Sequence, residues 1–190
     1  RFYVQENIYD SFVHKLSDAV SALKVGNGME EGVIVGPLIE PSAVEKVREH
    51  IDDAVNKGAK VLTGGQAHAS GGNFWQPTVL GDCNDGMKLA QEETFGPLAA
   101  CFRFTSEEEV IQRANNTPFG LAAYFYTQNL QRVFRVSQAL ESGMIGINEC
   151  AVSTEVAPFG GVKESGLGRE GSVLGLDEFL EVKTLHIGGL

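Results

Sequence analysis

The sequence predicts an α/β protein built on a mostly parallel, twisted sheet with helices on both faces. Two observations carry that expectation. Short apolar runs rich in β-branched residues recur along the chain, and amphipathic stretches of helical period lie between them. Such alternation favours parallel strands, because parallel neighbours need crossover helices and those helices cover the faces of the sheet. At 190 residues, with 43% hydrophobic and 21% charged side chains, the chain can bury one sizeable core and carries no compositional mark of disorder or of a fibrous protein.

Taken in order, Ile8, Phe12, Leu16 and Leu23 recur at helical spacing and predict an amphipathic helix that ends near Gly26, with Gly26-Asn27-Gly28 as the turn. Ser42 and Glu45 form the pattern of a capping box, and Val44, Val47, Ile51 and Ala54 continue one apolar face of a second helix up to Gly58. Lys60 to Thr63 reads as a strand stopped by Gly64 and Gly65, and 66–73 as a loop of small residues. Pro77 to Leu80 and Ala99 to Phe104 predict further strands. The latter is followed by Ser106 and Glu109, a second capping box opening a helix from Glu107 to Asn115. Leu121 to Thr127 predicts a strand, Leu130 to Leu140 a helix ending before Gly143, and Met144 to Ile147 a buried strand. A Gly-rich stretch from Pro158 to Glu170 has few core-forming residues and reads as a functional loop. Phe179 to Ile187 is strand-like and is expected to pair at a sheet edge, on another subunit if not on its own.

Charge and cysteine usage narrow the function. A net charge of -10 repels phosphate backbones and anionic lipid, so nucleic acid and membrane surfaces are not expected partners. No apolar run has bilayer length, and the opening Arg1-Phe2-Tyr3-Val4 has neither the charged leader nor the apolar stretch of a signal peptide; the missing initiator Met suggests a fragment. Cys83, Cys101 and Cys150 are odd in number and widely spaced, which fits neither a disulfide framework nor a zinc site and points to a reducing, cytoplasmic setting. His14, His50, His68 and His186 show no metal-ligand pairing and read as ordinary surface or core residues, so no metal is expected.

Glu92-Glu93-Thr94-Phe95-Gly96-Pro97 sets two acids, an aromatic and a rigid Gly-Pro turn before an apolar strand; alone it could be a solvated strand-entry turn. Three ordered motifs, Glu93 to Pro97, Asn116 to Ala122, and Pro158 to Glu170 placed after Gly143 to Asn148, closely resemble the aldehyde dehydrogenase superfamily, and the similarity runs from Arg1 to the C-terminus. Ser165-Gly-Leu-Gly-Arg-Glu-Gly-Ser172, with Glu181-Val-Lys183 and Gly188-Gly189, looks most like the succinate-semialdehyde dehydrogenase branch.

The resemblance implies NAD or NADP as cofactor and a small aldehyde, succinate semialdehyde in that branch, as substrate. Family chemistry runs through a cysteine thiolate that attacks the aldehyde carbon, hydride transfer to the nicotinamide, and hydrolysis of a thioester by base-activated water. In the family pattern the nucleophile lies in a Gly-Gln-x-Cys segment before an Arg that matches Arg1, and the glutamate base lies further upstream. No catalytic residue is therefore expected in this chain, and its three cysteines read as structural, with Cys150 left open as an exposed thiol. Glu93 matches the residue that hydrogen-bonds the ribose hydroxyls of the nicotinamide half, a task suited to a carboxylate. Phe95 matches the aromatic beside the nicotinamide ring, with core packing as the alternative. Phe159 matches the aromatic at the floor of the substrate site, with loop anchoring as the alternative. Ser153 falls on the loop position that helps hold a distal carboxylate; it could instead be a plain surface serine, and a one-residue slip would move the role to Thr154. Glu92 reads as a solvated neighbour, and Lys163 and Arg169 as residues that order the loop.

Residues 1–176 are accordingly expected to be part of a catalytic domain and 177–190 a C-terminal strand that mediates homo-oligomerisation, with the cofactor domain absent. The competing reading is a non-catalytic fragment that binds or assembles through that strand.

Overall fold

A computed structural model describes residues 1–189 as two compact units, one from Arg1 to Val110 and one from Ile111 onward. In the first, strand β1 (Phe2–Gln5) leads into helix α1 (Glu6–Ser21), followed by α2 (Pro41–Asn56), β2 (Lys60–Thr63), β3 (Thr78–Cys83), the short α3 (Lys88–Gln91) and β4 (Leu98–Phe104). The four strands form one mixed sheet in the order β1-β4-β3-β2. β4 pairs parallel with both β1 and β3, whereas β2 pairs antiparallel with β3. The antiparallel edge has a local cause. Residues 64–77 contain no helix and return the chain beside β2, so β3 runs back along it rather than crossing over.

Side-chain alternation along β3 and β4 sorts the core onto both faces of this sheet. Leu80, Ala100 and Phe102 point to the α2 face, where Val44, Val47, Ile51 and Trp75 close over them. Val79 and Cys101 point to the other face and meet Tyr9 and Val13 of α1. Helices thus cover both faces, as the alternation of apolar runs implies.

Two helix starts differ from the expected pattern. Glu40 is the N-cap of α2, with Pro41 in its first turn and no side-chain cap bond, so Ser42 and Glu45 do not form a box. Proline suits that site because its fixed φ matches the helix and its missing N–H is one the helix start cannot satisfy anyway. At α4 (Glu107–Asn115), which runs across the boundary between the units, half the box forms. Glu109 N–H donates to Ser106 Oγ at 3.1 Å, but the Glu109 carboxylate reaches back to the N–H and hydroxyl of Thr105 at 2.9 and 2.7 Å.

The second unit holds β5 (Phe119–Gly120), β6 (Ala122–Phe125), α5 (Leu130–Ala139), β7 (Met144–Ile147), β8 (Val162–Lys163) and a 3-10 turn over Leu174–Phe179. β6 and β7 pair parallel, with α5 as the intervening helix; β5 and β8 pair antiparallel, tying the Gly-rich loop to the start of the unit. Asn129 caps α5 by accepting the Arg132 N–H at 3.0 Å. Residues 180–189 carry no strand pairing within the chain. No helix among the described residues is long and apolar enough to cross a membrane.

Cys83, beyond the strand expected over Pro77 to Leu80, is the buried last residue of β3, and Cys101 is buried in β4; Cys150 is exposed. Burial pushes the thiols of Cys83 and Cys101 up to about 12 and about 11, because a thiolate there would lose its hydration. Tyr9 is raised in the same way, to about 12. Its hydroxyl donates to Cys101 O at 3.1 Å and accepts the Asp82 N–H at 2.6 Å, pinning the β3 irregularity where Asp82 sits at φ 55°. The Arg103 guanidinium lies 3.7 Å from the centre of the Tyr9 ring and donates to Asp82 at 3.1 Å.

All three groups are acids held neutral by folding. Their contribution to stability is complete below the unfolded values of 9.0 for thiols and 10.0 for tyrosine, and is lost as pH rises through the folded values of about 11 to about 12. Chemical denaturation should therefore show stability falling steeply from about pH 9 upward. Tyr9→Phe should shed the tyrosine share of that fall while losing about 1–3 kcal/mol at neutral pH, because the Asp82 N–H is left buried without its acceptor. A flat profile up to about pH 12 would contradict this account.

Candidate functional site

The segment from Glu92 to Pro97 is a short, tightly held turn between α3 and β4. Its α3 end is fixed where Lys88 N–H donates to the Asp53 carboxylate at 2.8 Å, and by the Lys88–Glu49 ion pair. Its β4 end is fixed where Thr78 N–H donates to Pro97 O at 2.8 Å and Leu98 N–H to Gly96 O at 2.7 Å. Gly96 lies directly on α2: a Cβ there would stand 2.3 Å from Val47 Cγ2, so only glycine lets the turn seat this closely.

Between these anchors Phe95 adopts φ 53° and is 80% exposed. Left-handed backbone is costly for a bulky residue, about 1–3 kcal/mol, and it persists only where the surroundings over-determine it. Here that strain holds an aromatic ring out toward solvent, the opposite of the core packing that was the alternative for this residue. Glu93, two residues earlier on the same turn, is also exposed. A carboxylate that can accept two hydroxyl protons beside an open aromatic face suits a sugar joined to a planar heterocycle.

Sequence reasoning missed the side chain that grips this turn. His50 of α2 is 1% exposed. Its Nδ1 lies 2.9 Å from Thr94 Oγ1 and its Nε2 lies 3.4 Å from Glu92 Oε2, so Glu92 is not merely solvated. The available signal was a histidine three residues after Val47, on the apolar face of α2.

In the second unit, Asn148 at φ 55° ends β7 and clasps Thr127, accepting its N–H and donating to its carbonyl, both at 2.8 Å. The loop beyond opens with Glu149, whose carboxylate accepts the N–H groups of Cys150 and Ala151 at 2.7 and 3.0 Å; these bonds hold it below the usual carboxylate range. Ser153 is exposed on this loop. Thr154, the slipped alternative, has its hydroxyl 3.4 Å from Glu155 Oε2. Phe159 is half-buried and its backbone is paired in both directions with Glu170, at 2.9 and 2.7 Å. Lys163 Nζ donates to Asn115 O and Thr117 O and pairs with Glu141, while Arg169 donates to Gly161 O and Gly168 O. Both cations are engaged in ordering the loop.

Glu93 and Phe95 thus share one turn of the first unit, and Ser153 and Phe159 one loop of the second. Among the described residues no cluster of His, Cys, Asp and Glu could hold a metal ion. A shallow depression of about 400 Å³ lies elsewhere, lined by Glu45, Arg48, Glu49, Asp53 and Lys88 among others. Arg48 pairs there with Glu45 and Lys88 with Glu49, which marks a solvated helix face.

The mixed sheet with helices on both faces, and the separate unit that carries the glycine-rich loop, define an α/β protein. The chain belongs to the aldehyde dehydrogenase family, whose model matches residues 1–185. It is 58% identical over 188 residues to the NADP(+) succinate-semialdehyde dehydrogenase of Escherichia coli K12, covering 99% of this chain and 39% of that protein. It is 56% identical over 190 residues to the 3-sulfolactaldehyde dehydrogenase of Pseudomonas putida, covering 100% of this chain and 39% of that protein. The crystal structure of succinate-semialdehyde dehydrogenase from Burkholderia pseudomallei superposes with a TM-score of 0.93 at 58% identity, over 94% of this chain and 37% of that one. The chain therefore spans under two fifths of the length of the relatives it matches.

Proposed function

We propose that this chain is the C-terminal portion of an NAD(P)-dependent aldehyde dehydrogenase that oxidises an aldehyde bearing a distal acid group, succinate semialdehyde foremost, to the carboxylic acid through a cysteine thioester. The carrying observation is the rigid turn that presents Glu93 and Phe95 together. Glu93 would accept the ribose hydroxyls of the nicotinamide half and Phe95 would lie beside the ring, while the cofactor itself supplies the hydride acceptor. Ser153 would donate to the distal acid and Phe159 would shape the pocket around the aldehyde. The two similar dehydrogenases are named for a carboxylate-bearing and a sulfonate-bearing aldehyde, which supports an anionic substrate.

In this reading the nucleophile and general base belong to sequence outside this chain, as does the dinucleotide-binding domain. Residues 1–176 contribute to the catalytic domain. Residues 177–190 are read as an oligomerisation arm: Val182, Leu185 and Ile187 are exposed on a segment with no strand pairing within the chain, which suits an edge strand completed by a second copy. Three free cysteines accord with a cytoplasmic setting.

The test is kinetic, in the complete enzyme. Glu93→Gln should slow hydride transfer and raise the KM for the dinucleotide while leaving Tm nearly unchanged, since an exposed acid contributes little to folding. Ser153→Ala should raise the KM for succinate semialdehyde by an amount equivalent to about 0.5–1.5 kcal/mol, and that for an uncharged aldehyde of equal length much less. Unaltered dinucleotide kinetics in the first variant would remove the role of Glu93. Equal losses on both aldehydes in the second would mean general loop damage.

A further inference from the structure

We propose that His50 is a positioning residue for the nicotinamide-side turn: it sets where Glu93 and Phe95 stand by bonding the residues that flank Glu93 on either side. This role rests on the dehydrogenase reading above and adds to it a residue far from the turn in sequence.

His50 bonds the turn at two points, and Glu93 lies between them. Nε2 faces the Glu92 carboxylate at 3.4 Å, and Nδ1 faces the Thr94 hydroxyl at 2.9 Å. A carboxylate only accepts, so Nε2 can serve it only as a donor, while the Thr94 hydroxyl can either donate to Nδ1 or accept from it. One ring thereby faces two residues of the same turn, and at 1% exposure the ring itself is shut off from water. A buried imidazole packed on α2 and bonded to Thr94 at normal length has a fixed orientation, which is what a template requires.

The same face of α2 makes a second contact one helical turn away. Val47 lies under Gly96, where no larger residue fits, and His50 lies under Thr94. Positions three apart on a helix share a face. Packing at Val47 fixes the height of the turn above α2, but apolar contact is non-directional and leaves the turn free to rotate over it. The directional bonds at His50 remove that freedom. They also stand next to the strained residue: Phe95 at φ 53° follows Thr94 directly, so the Thr94 bond opposes relaxation of the backbone out of its left-handed conformation. The Thr94 bond dominates, since 2.9 Å is a normal hydrogen-bond length and 3.4 Å to an exposed carboxylate is marginal.

The experiment compares equilibrium binding of the intact dinucleotide with that of ADP-ribose, which lacks the nicotinamide, in the full-length enzyme carrying His50→Leu, His50→Asn, His50→Gln or Thr94→Val. His50→Leu and Thr94→Val should each weaken dinucleotide binding about five- to tenfold and leave ADP-ribose binding unchanged, the loss of one buried hydrogen bond being about 1–1.4 kcal/mol. The double variant should be no weaker than either single one, because both remove the same bond. His50→Asn keeps a polar atom near the place of Nδ1 and should restore binding; His50→Gln keeps one near Nε2 and should not. A general folding defect would weaken both ligands alike and would overturn the role, as would wild-type dinucleotide affinity in His50→Leu or additive losses in the double variant. Wild-type enzyme that bound neither ligand would instead remove the dehydrogenase reading, and the role of His50 with it.

Discussion

Purified by itself, this 190-residue chain should form no NAD(P)H from succinate semialdehyde. Thioester chemistry needs a thiolate, and at neutral pH a thiol raised to about 12 is ionised to roughly one part in 10⁵, so Cys83 contributes nothing and Cys101, raised to about 11, little more. Both are also buried in the sheet, beyond the reach of an aldehyde. Cys150 is exposed and its thiol bonds the Glu149 carboxylate, but the backbone N–H groups of Ala151 and Cys150 hold that carboxylate below its usual range and so make it a weak base for a thiol proton. Loss of a covalent nucleophile costs on the order of a million-fold in turnover. The measurement is NAD(P)H absorbance with the short chain beside the full-length enzyme. Turnover by the short chain that disappears on alkylation of Cys150 would place the nucleophile here after all.

Gly143→Ala should destabilise the second unit by about 3 kcal/mol and raise the KM for aldehyde in the full-length enzyme. A Cβ at this position would stand 2.1 Å from Gly160 O and 2.9 Å from Gly161 Cα, contacts with backbone that no rotamer change can relieve. The strand entry and the glycine pair must separate, and Phe159 precedes that pair. Gly36→Ala is the control, since a Cβ there meets nothing within 4 Å. Denaturant titration of both variants checks the difference; equal stability would show that the loop absorbs the methyl without cost.

Much of the architecture was legible because period and punctuation coincide. The apolar face through Val44, Val47, Ile51 and Ala54, ended by glycine, gave α2; the β-branched run at Lys60 to Thr63 gave β2; and Met144 to Ile147 gave β7. β1 was invisible, since four residues at a parallel edge carry too little pattern to separate strand from helix lead-in. β5 and β8 were likewise missed, being two residues each and paired only through the tertiary fold. The start of α2 moved because a proline took its first turn, whereas α4 kept its expected bounds and only the partner of its Glu109 carboxylate differed from the expected capping box. The residues of the candidate site were found through motif resemblance. Their physical setting was not, for the strain at Phe95 and the grip of His50 on Thr94 depend on α2 meeting a turn more than forty residues away.

The Lys163 ammonium has a consequence for how the glycine-rich loop can move. It bonds the carbonyls of Asn115 and Thr117 at the end of α4, and it pairs with Glu141. Asn115 in turn donates to Ala139 O and accepts the Glu141 N–H, so the ends of two helices and the loop close on one another. Lifting the loop would release the Asn115 and Thr117 carbonyls and the Glu141 carboxylate together, while the Asn115 bonds to Ala139 O and the Glu141 N–H stay closed between the two helix ends. The segment after β7 is thus tied down at one lysine to carbonyls and a carboxylate drawn from two different helix ends, so one side chain holds the loop to both.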